Sequence, residues 1–308
     1  MMLDLRYSGN ASRHLIGLLD INQPLPGEFA LANIVPSNHV TVANTPYLNQ
    51  IRPYRGYGPI AIETPIFNGN YNALQATFAG RIGRRSRFGL NYTWSRSLTN
   101  SLNDSSAAPQ NTYDPKAEYG LATFDRRQIF TAHFVYDLPF FLNQRNWRGR
   151  FLGGYELSGI VTAASGIPLT AIANTEADPA GQGVLDNNAP EVTRPDQIGD
   201  PNQDAPHSYP LWVNLSEHFK NVPAGQYHPG NEHVGVIRGP GYQVWNIDLF
   251  KNISLPHETR LQIRAEAFNI WNHVNWTTVG LAVGGSTSGT ITGARDPRKL
   301  QFGAKYVF

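Results

Sequence analysis

Eight stretches in which apolar and polar residues alternate run through this chain, and the connections between them are alternately long and short. The long connections cover residues 22–70, 99–123, 174–242 and 272–298, and the short ones cover 83–85, 140–150 and 254–257. A period of two places neighbouring side chains on opposite faces of a β-strand, so each stretch predicts a strand with one apolar and one polar face. An even number of strands with all long loops at one end is typical of an antiparallel transmembrane barrel.

The stretches also have the length that a membrane-crossing strand requires, since a tilted strand needs about 9–11 residues. They cover residues 3–21, 71–82, 86–97, 125–139, 151–173, 243–253, 259–271 and 299–308, and the first long connection leaves room for a short strand at 58–66. We therefore predict an all-β fold, an antiparallel transmembrane β-barrel segment with long extracellular loops and short periplasmic turns.

The last ten residues, KLQFGAKYVF, show the alternation most fully. Leu300, Phe302, Ala304, Tyr306 and Phe308 share one face, and mainly polar residues occupy the other. Termini of soluble domains tend to fray, so a patterned strand that ends on an aromatic residue predicts pairing within a larger sheet.

Aromatic residues near the predicted strand ends indicate two girdles at the membrane interfaces. Those toward the outside are Trp94, Trp245 and Trp271, and those toward the periplasm are Tyr136, Tyr155, Tyr306 and Phe308.

Composition limits the other classes of protein. Charged residues make up 16% of the 308 residues, against roughly 25% in soluble domains, and no run approaches the ~18 apolar residues of a transmembrane helix. The chain has no cysteine, which excludes disulfides and cysteine-ligated metals. Its net charge of +2 gives no indication of nucleic-acid binding. The first residues, MMLDLRYSGN, lack the basic segment and apolar run of a signal peptide.

The longest connection holds the candidate ligand-binding residues of the outer loops. These are His207, His218, His228 and His233. Their spacing matches no metal-binding motif, so solvated loop histidines are the simpler interpretation and no metal is assigned. The aspartates of the same connection lack the spacing of a calcium loop. They are Asp178, Asp186, Asp196, Asp200 and Asp204.

Three charged residues of the seventh strand are candidates for contacts inside a barrel. Arg260, Arg264 and Glu266 share its polar face, which would line a wet lumen. Arg264 and Glu266 either form a charge ladder that touches substrate or a domain inside the barrel or, more simply, take part in a cross-strand ion pair. Arg126 and Arg127 lie at the predicted outer rim, where they meet lipopolysaccharide phosphates or are merely solvated.

Signatures of catalysis are missing from the sequence. The glycine-rich VGGSTSG at 283–289 lacks the lysine of a phosphate-binding loop, and no serine lies in a nucleophile elbow. We therefore expect neither an enzyme nor a bound cofactor.

Several segments of the sequence resemble the C-terminal barrel of TonB-dependent receptors. They are YNALQ at 71–75, YTWSRS at 92–97, FDRRQIF at 124–130, GYELSGIVTAASGIPL, RGPGYQVWNIDLFKN at 238–252, LQIRAEAFNIWNHVNW at 261–276 and ARDPRKLQFGAKYVF at 294–308. The resemblance is to the Oar-like type, which has a carboxypeptidase-regulatory-like domain and is common in Acidobacteria.

This resemblance implies a location in the outer membrane of a Gram-negative-type bacterium and the uptake of a bulky nutrient. Residues 1–308 would be one C-terminal segment, about eight strands of a 22-stranded barrel, without the plug domain, TonB box or signal peptide. TonB would then be reached only through other parts of the protein. Tyr306 and Phe308 would be the signal for the barrel-assembly machinery, and lipid and lipopolysaccharide would surround the wall. We expect such a segment not to be a competent transporter, or a stable monomeric barrel, by itself.

Three other functions compete with this interpretation. A self-contained eight-stranded barrel with a structural or adhesive role is the main alternative, but its interior would be just wide enough for side chains. An outer-membrane enzyme would need a nucleophile or paired acids. A soluble β-sandwich lectin does not account for the terminal strand and the aromatic girdles.

Overall fold

A computed structural model describes most of the chain. The described residues are 1–28, 45–101, 108–141, 144, 146–173, 180, 182, 193–223, 226–256 and 259–308.

Strands dominate the fold, and the long ones form a single sheet. They are β1 Met2–Asp20, β2 Ala61–Ile82, β3 Ser86–Thr99, β4 Gly120–Leu121, β5 Gln128–Asp137, β6 Tyr155–Ala164, β7 Pro168–Leu169, β8 Asp196–Gln197, β9 Phe219–Lys220, β10 Ile237–Arg238, β11 Tyr242–Ser254, β12 Arg260–Phe268 and β13 Lys299–Val307.

The described helices are short and lie in the connections. They are α1 Thr45–Ile51, α2 Trp147–Leu152 and α3 Leu215–His218, with a 3-10 turn at Pro115–Glu118. No helix in the described ranges combines the length and the apolar composition needed to cross a membrane.

Eight long strands follow one another through the main sheet, in the order β1-β2-β3-β5-β6-β11-β12-β13. Each is antiparallel to the next. The short strand β4 pairs with the outer end of β3, and β7 with β10 and β8 with β9 make two small separate sheets. The predicted number and antiparallel order of the crossing strands are thereby confirmed.

The second long strand begins ten residues earlier than the alternation predicts, at residue 61 instead of 71. Pro65 lies within it, and the register with β1 is irregular at that point, between Ser12 and Gly17. A proline has no amide hydrogen for a regular ladder and is tolerated at such a bulge. The first long connection is therefore shorter than predicted.

The strand predicted over 151–173 is also shorter, because its first residues belong to a helix. The Asn146 side chain accepts a hydrogen bond from the amide of Gly149 at 2.7 Å and so caps α2. Gly154, with φ of +73°, then turns the chain into β6. The strand ends at Ala164, close to the predicted exit at Gly166 and Pro168.

The register gives the sheet one apolar and one polar face, because side chains of paired residues project to the same side. One apolar row crosses six neighbouring strands through Leu3, Phe78, Leu90, Ala132, Val161 and Trp245. The next row, on the other face, carries Asp4, Thr77, Asn91, Thr131 and Thr162. Large side chains of the apolar face are open to the surroundings, with Leu5 63% and Phe302 77% exposed. An apolar surface this extensive indicates a contact with something other than water.

The long connections gather at one end of the sheet, and we call their described part the cap. It comprises residues 21–28, 45–60, 100–101, 108–127, 165–173, 180, 182, 193–223, 226–241 and 269–298. The cap has a hydrophobic cluster of its own, formed by Ala171, Val213, Leu215, Phe219, Ile237, Val279 and Val283. The connection between β6 and β11 and the connection between β12 and β13 are therefore folded around a shared core rather than running as separate loops.

Close backbone packing inside the cap predicts the effect of one substitution. A Cβ added at Gly166 would overlap the carbonyl oxygen of Gly239, whereas one added at Gly58 would meet nothing within 4 Å. We expect Gly166→Ala to destabilise the cap by about 1–3 kcal/mol, because two backbone segments must separate. Hydrogen–deuterium exchange of residues 165–173 measures this. Gly58→Ala is the matched control, and equal protection in both variants would contradict the packing.

Candidate functional site

The charged candidates of the seventh long strand lie on the polar face of the sheet. Nη1 of Arg264 lies 3.6 Å from Oε1 of Glu266 on the same strand. The residues opposite Glu266 are Asp248 on β11 and Gln301 on β13, neither of which is basic. The ion pair therefore runs along β12, and the cross-strand interpretation is wrong. Arg260 is exposed near the short-turn end of the same face.

Further charged residues share this polar face toward the short-turn end. Asp137 stands opposite Glu156, and Glu156 also pairs with Phe250 of β11. Arg81 and Arg87 stand opposite one another on β2 and β3. A wall with this mixture of acids and bases is suited to contact with water and polar solutes, not to a close-packed core.

A polar cleft opens on the same face near the cap. It has a volume of about 550 Å³, and its lining residues include Asn246, Phe268, Asn275, Arg295 and Lys299. The side-chain oxygen of Asn275 accepts a hydrogen bond from the amide of Gln243 at 2.7 Å, which fixes that side chain. The cleft offers amide groups, the Arg295 guanidinium and the Lys299–Asp296 ion pair to a polar solute.

The four candidate histidines of the longest connection have four different environments. His207 is exposed, and its ring lies 4.8 Å from that of Trp212. His218 is buried at the end of α3, and its Nε2 has no hydrogen-bond partner among the described residues. Nε2 of His228 lies 3.5 Å from Oδ2 of Asp196, and His233 is exposed.

These histidines do not converge on a common centre. In the ranges that the structure describes, no three histidine, aspartate or glutamate side chains are arranged to hold a metal ion. Asp200 accepts hydrogen bonds from Asn202, which lower the pKa of its carboxyl, and Asp204 is exposed. Asp178 and Asp186 lie outside the described residues.

The aromatic residues of the predicted girdles lie on the apolar face or beside it. Trp245 packs edge-to-face against Trp271 with ring centroids 6.3 Å apart, near the cap. At the opposite end of the sheet the rings of Tyr306 and Phe308 are stacked at 6.2 Å, and both are exposed. These two residues extend the apolar face to the end of β13.

A buried ionic network at the centre of the cap was not predicted from the sequence. Glu118 and Arg194 are 0% and 2% exposed. The guanidinium of Arg194 donates to both carboxylate oxygens of Glu118, one of them at 3.1 Å, and through Nε to the carbonyl oxygen of Glu232 at 2.9 Å. The amide of Arg194 donates to Oε1 of Gln110. The network therefore fastens the second long connection to the third, as a bidentate pair is well suited to do.

Glu232 completes this network with an unusual carboxyl group. Its Oε1 accepts a hydrogen bond from the amide of Ala171 at 2.7 Å, and its Oε2 has no partner among the described residues. Burial raises the pKa of Glu232 to about 8, although the Ala171 amide and the Arg194 charge act in the opposite direction. The carboxyl is therefore mainly protonated at pH 7.

A second buried network joins the two described parts of the first long connection to each other. The fully buried side chain of Asn22 donates to the carbonyl oxygens of Tyr54, Tyr57 and Gly58. Nη1 of Arg52 donates to the Asn22 carbonyl oxygen at 2.7 Å, and burial lowers the pKa of the Arg52 guanidinium. No local sequence signal distinguishes these residues, because their partners are about 30 positions away.

The match to a protein-family model agrees with this architecture. Residues 1–301 match the model of a family described as an outer membrane beta barrel domain. The crystal structure of the outer membrane transporter YddB from Escherichia coli aligns with 98% of this chain at 10% identity and a TM-score of 0.46. The chain spans 30% of the length of that protein. No curated protein matches the sequence significantly.

The buried carboxyl predicts how the cap responds to pH. Because the folded pKa of Glu232 is about 8 and its ordinary value is 4.5, the folded cap keeps a proton that the unfolded chain loses as the pH rises. The contribution of Glu232 to the stability of the cap should be fully present below about pH 4.5, and up to about 5 kcal/mol of it should be lost by pH 8. Glu232→Gln should remove most of this slope, which hydrogen–deuterium exchange of residues 226–241 at pH 5 and pH 8 measures.

The exposed Glu217 of the same connection provides the matched control, and Glu217→Gln should keep the slope of the unmodified protein. An unchanged slope in Glu232→Gln would show that another group carries the pH dependence.

Proposed function

Because the chain belongs to the outer membrane β-barrel domain family, we propose that it forms part of the wall of a TonB-dependent receptor that imports a bulky nutrient. As an outer-membrane protein it presents its apolar face to lipid and its polar face to the barrel interior. The long loops of such barrels are extracellular, so the cap lies outside the cell. The resemblance of the sequence to Oar-like receptors supports the TonB-dependent mechanism.

The observation that carries the proposal is the open sheet with a charged inner wall. Strand β1 pairs only with β2, and β13 only with β12, so both edges of the described sheet are free. An unpaired backbone group in lipid costs several kcal/mol, which requires further strands beside these edges. An eight-stranded barrel would have an interior just wide enough for side chains, whereas charged residues and a 550 Å³ cleft line this wall.

Each candidate residue has a role within this proposal. Arg260, Arg264 and Glu266 contact the passing nutrient or a domain inserted in the barrel, and the cap captures the nutrient at the surface. Tyr306 and Phe308 serve as the signal for barrel assembly. TonB acts through parts of the receptor outside these strands. The proposed receptor has no catalytic role and no cofactor.

The outer rim offers one contact to the surrounding lipid. Nη1 of Arg126 donates to the carbonyl oxygen of Ser165 at 2.6 Å, and its guanidinium lies 5.1 Å from the centre of the Tyr242 ring. A guanidinium held in this way retains donors for a phosphate. We include lipopolysaccharide phosphate as its partner in the proposal, together with Arg127.

The assignment of the two faces predicts opposite effects for two arginine substitutions in one strand. Ala265 lies between Leu249 and Phe302 on the apolar face, and Gln262 lies on the polar face. Ala265→Arg should cost about 2–4 kcal/mol, because it places a charge in lipid, and should lower the amount of protein in outer-membrane fractions. Gln262→Arg should be tolerated. Equal amounts of the two variants would contradict the assignment.

The proposed uptake predicts a growth defect that depends on TonB. Cells that lack the gene should grow poorly on at least one nutrient at limiting concentration, and cells that lack TonB should fail on the same nutrient. Restoring the gene should restore growth, whereas a copy with Ala265→Arg should not. If deletion has no effect on any nutrient whose use requires TonB, the uptake proposal is wrong and a structural or adhesive role gains support.

A further inference from the structure

A turn on the outer surface of the cap holds Tyr209 in a fixed position. Residues 206–210 are all exposed. The turn is fastened at both ends. The amide of Ile291 donates a hydrogen bond to the carbonyl oxygen of Pro210 at 2.9 Å, and the amide of His207 donates one to the carbonyl oxygen of Trp212 at 3.1 Å. Val213 and Ile291, which adjoin these contacts, are buried in the cap.

The Tyr209 ring stacks on Trp276, which belongs to a different connection. The ring centroids are 5.5 Å apart and the ring planes differ by 21°. Tyr209 is 67% exposed, so one face of the stacked pair remains open. Within the described part of the chain, neither the tyrosine hydroxyl nor the indole N–H of Trp276 makes a hydrogen bond. The pair therefore offers an apolar ring face with free polar groups at its edges.

Two hydroxyl groups follow the indole directly. Thr277 and Thr278 are both exposed, and their Oγ1 atoms lie 3.4 Å apart. They converge beside Gly293, where a Cβ would lie 2.7 Å from Oγ1 of Thr277 and 2.9 Å from Oγ1 of Thr278. The absence of a side chain at Gly293 leaves both hydroxyls open to solvent.

The two chain segments that form this aromatic pair carry no fixed charge, and the next cation along the chain, Arg295, has its guanidinium 4.3 Å from the centre of the Tyr242 ring. Residues 205–213 and 274–294 contain no aspartate, glutamate, lysine or arginine, and the second segment contains seven serines and threonines. Phosphate and carboxylate ligands are bound through cationic groups, which these two segments lack. The chemistry therefore favours a neutral ligand with many hydroxyl groups and an apolar face.

We infer that Tyr209, Trp276, Thr277 and Thr278 form a surface site for a neutral carbohydrate. The C–H face of a sugar ring packs on the open face of Tyr209, and its hydroxyls exchange hydrogen bonds with the threonines and with the free groups of the two rings. Tyrosine and tryptophan provide contact area at a low cost in conformational entropy. Because both segments are fastened to the cap core, the site is formed before the sugar arrives.

This site gives the cap the role of collecting neutral saccharides, and its use as a cargo site rests on the proposed uptake. Binding itself does not depend on transport. The two ideas can therefore fail separately.

The test measures binding of a panel of fluorescent neutral oligosaccharides to outer-membrane vesicles from cells that make the protein at its own locus. The panel contains α- and β-linked glucans, mannans, galactans and xylans. At least one should bind, and Tyr209→Ala should weaken that binding by about tenfold or more. Thr278→Val should weaken it less, because the aromatic pair remains.

Tyr57 supplies the matched control, because it is also 67% exposed on the cap and lies outside the site. Tyr57→Ala should leave binding unchanged, and a normal exchange pattern of residues 205–213 and 274–294 in Thr278→Val shows that the cap is folded. The inference is overturned if no neutral oligosaccharide binds in a Tyr209-dependent manner, or if polygalacturonate or a neutral apolar peptide displaces the bound sugar and binds more tightly. Binding without TonB-dependent uptake would contradict the proposed function alone.

Discussion

The hydrogen-bonding requirement of the polypeptide backbone in lipid governs this structure. Water cannot reach the amide and carbonyl groups of a strand inside the hydrocarbon core, so each must find a partner in a neighbouring strand. The antiparallel order of the eight long strands meets this requirement between neighbours, apart from the bulge in β1 and β2, and leaves the outer edges of β1 and β13 unpaired in the described sheet. The alternation of the sequence then decides which face meets lipid, because a shift of one residue in register would exchange the two faces.

The cap pairs its polar backbone groups in a different way from the strands of the wall. Its long connections carry many polar backbone groups, and burial of these groups is possible only when they are paired. The Asn22 side chain pairs several carbonyl groups of the first connection, and the Glu118 and Arg194 pair joins the next two. A buried ion pair is costly to break and specific in its geometry, so these contacts fix how the connections lie against each other.

The sequence was informative where contacts are local and repetitive. Period-two alternation predicted the eight crossing strands, because each strand repeats the alternation of apolar and polar residues several times. It failed at Pro65, which lies at a bulge within β2, and at Phe151 and Leu152, which end the helix α2 instead of beginning a strand. The Glu118–Arg194 pair, 76 residues apart in the chain, leaves no periodic signal, and neither do Tyr209 and Trp276. The structure of the cap depends on contacts between residues that are far apart in the chain, and such contacts leave no periodic pattern in the sequence.

The separate hydrophobic core of the cap has a consequence for how such proteins diversify. Its buried cluster draws on the connections around β7, α3 and β10 and on the last connection, and none of its members belongs to the eight long strands. Substitutions in this cluster therefore leave the contacts between the long strands of the lipid-facing wall in place. A lineage can exchange the outer surface as a unit and keep one conserved scaffold, so related barrels are expected to diverge in what they recognise while retaining the same wall.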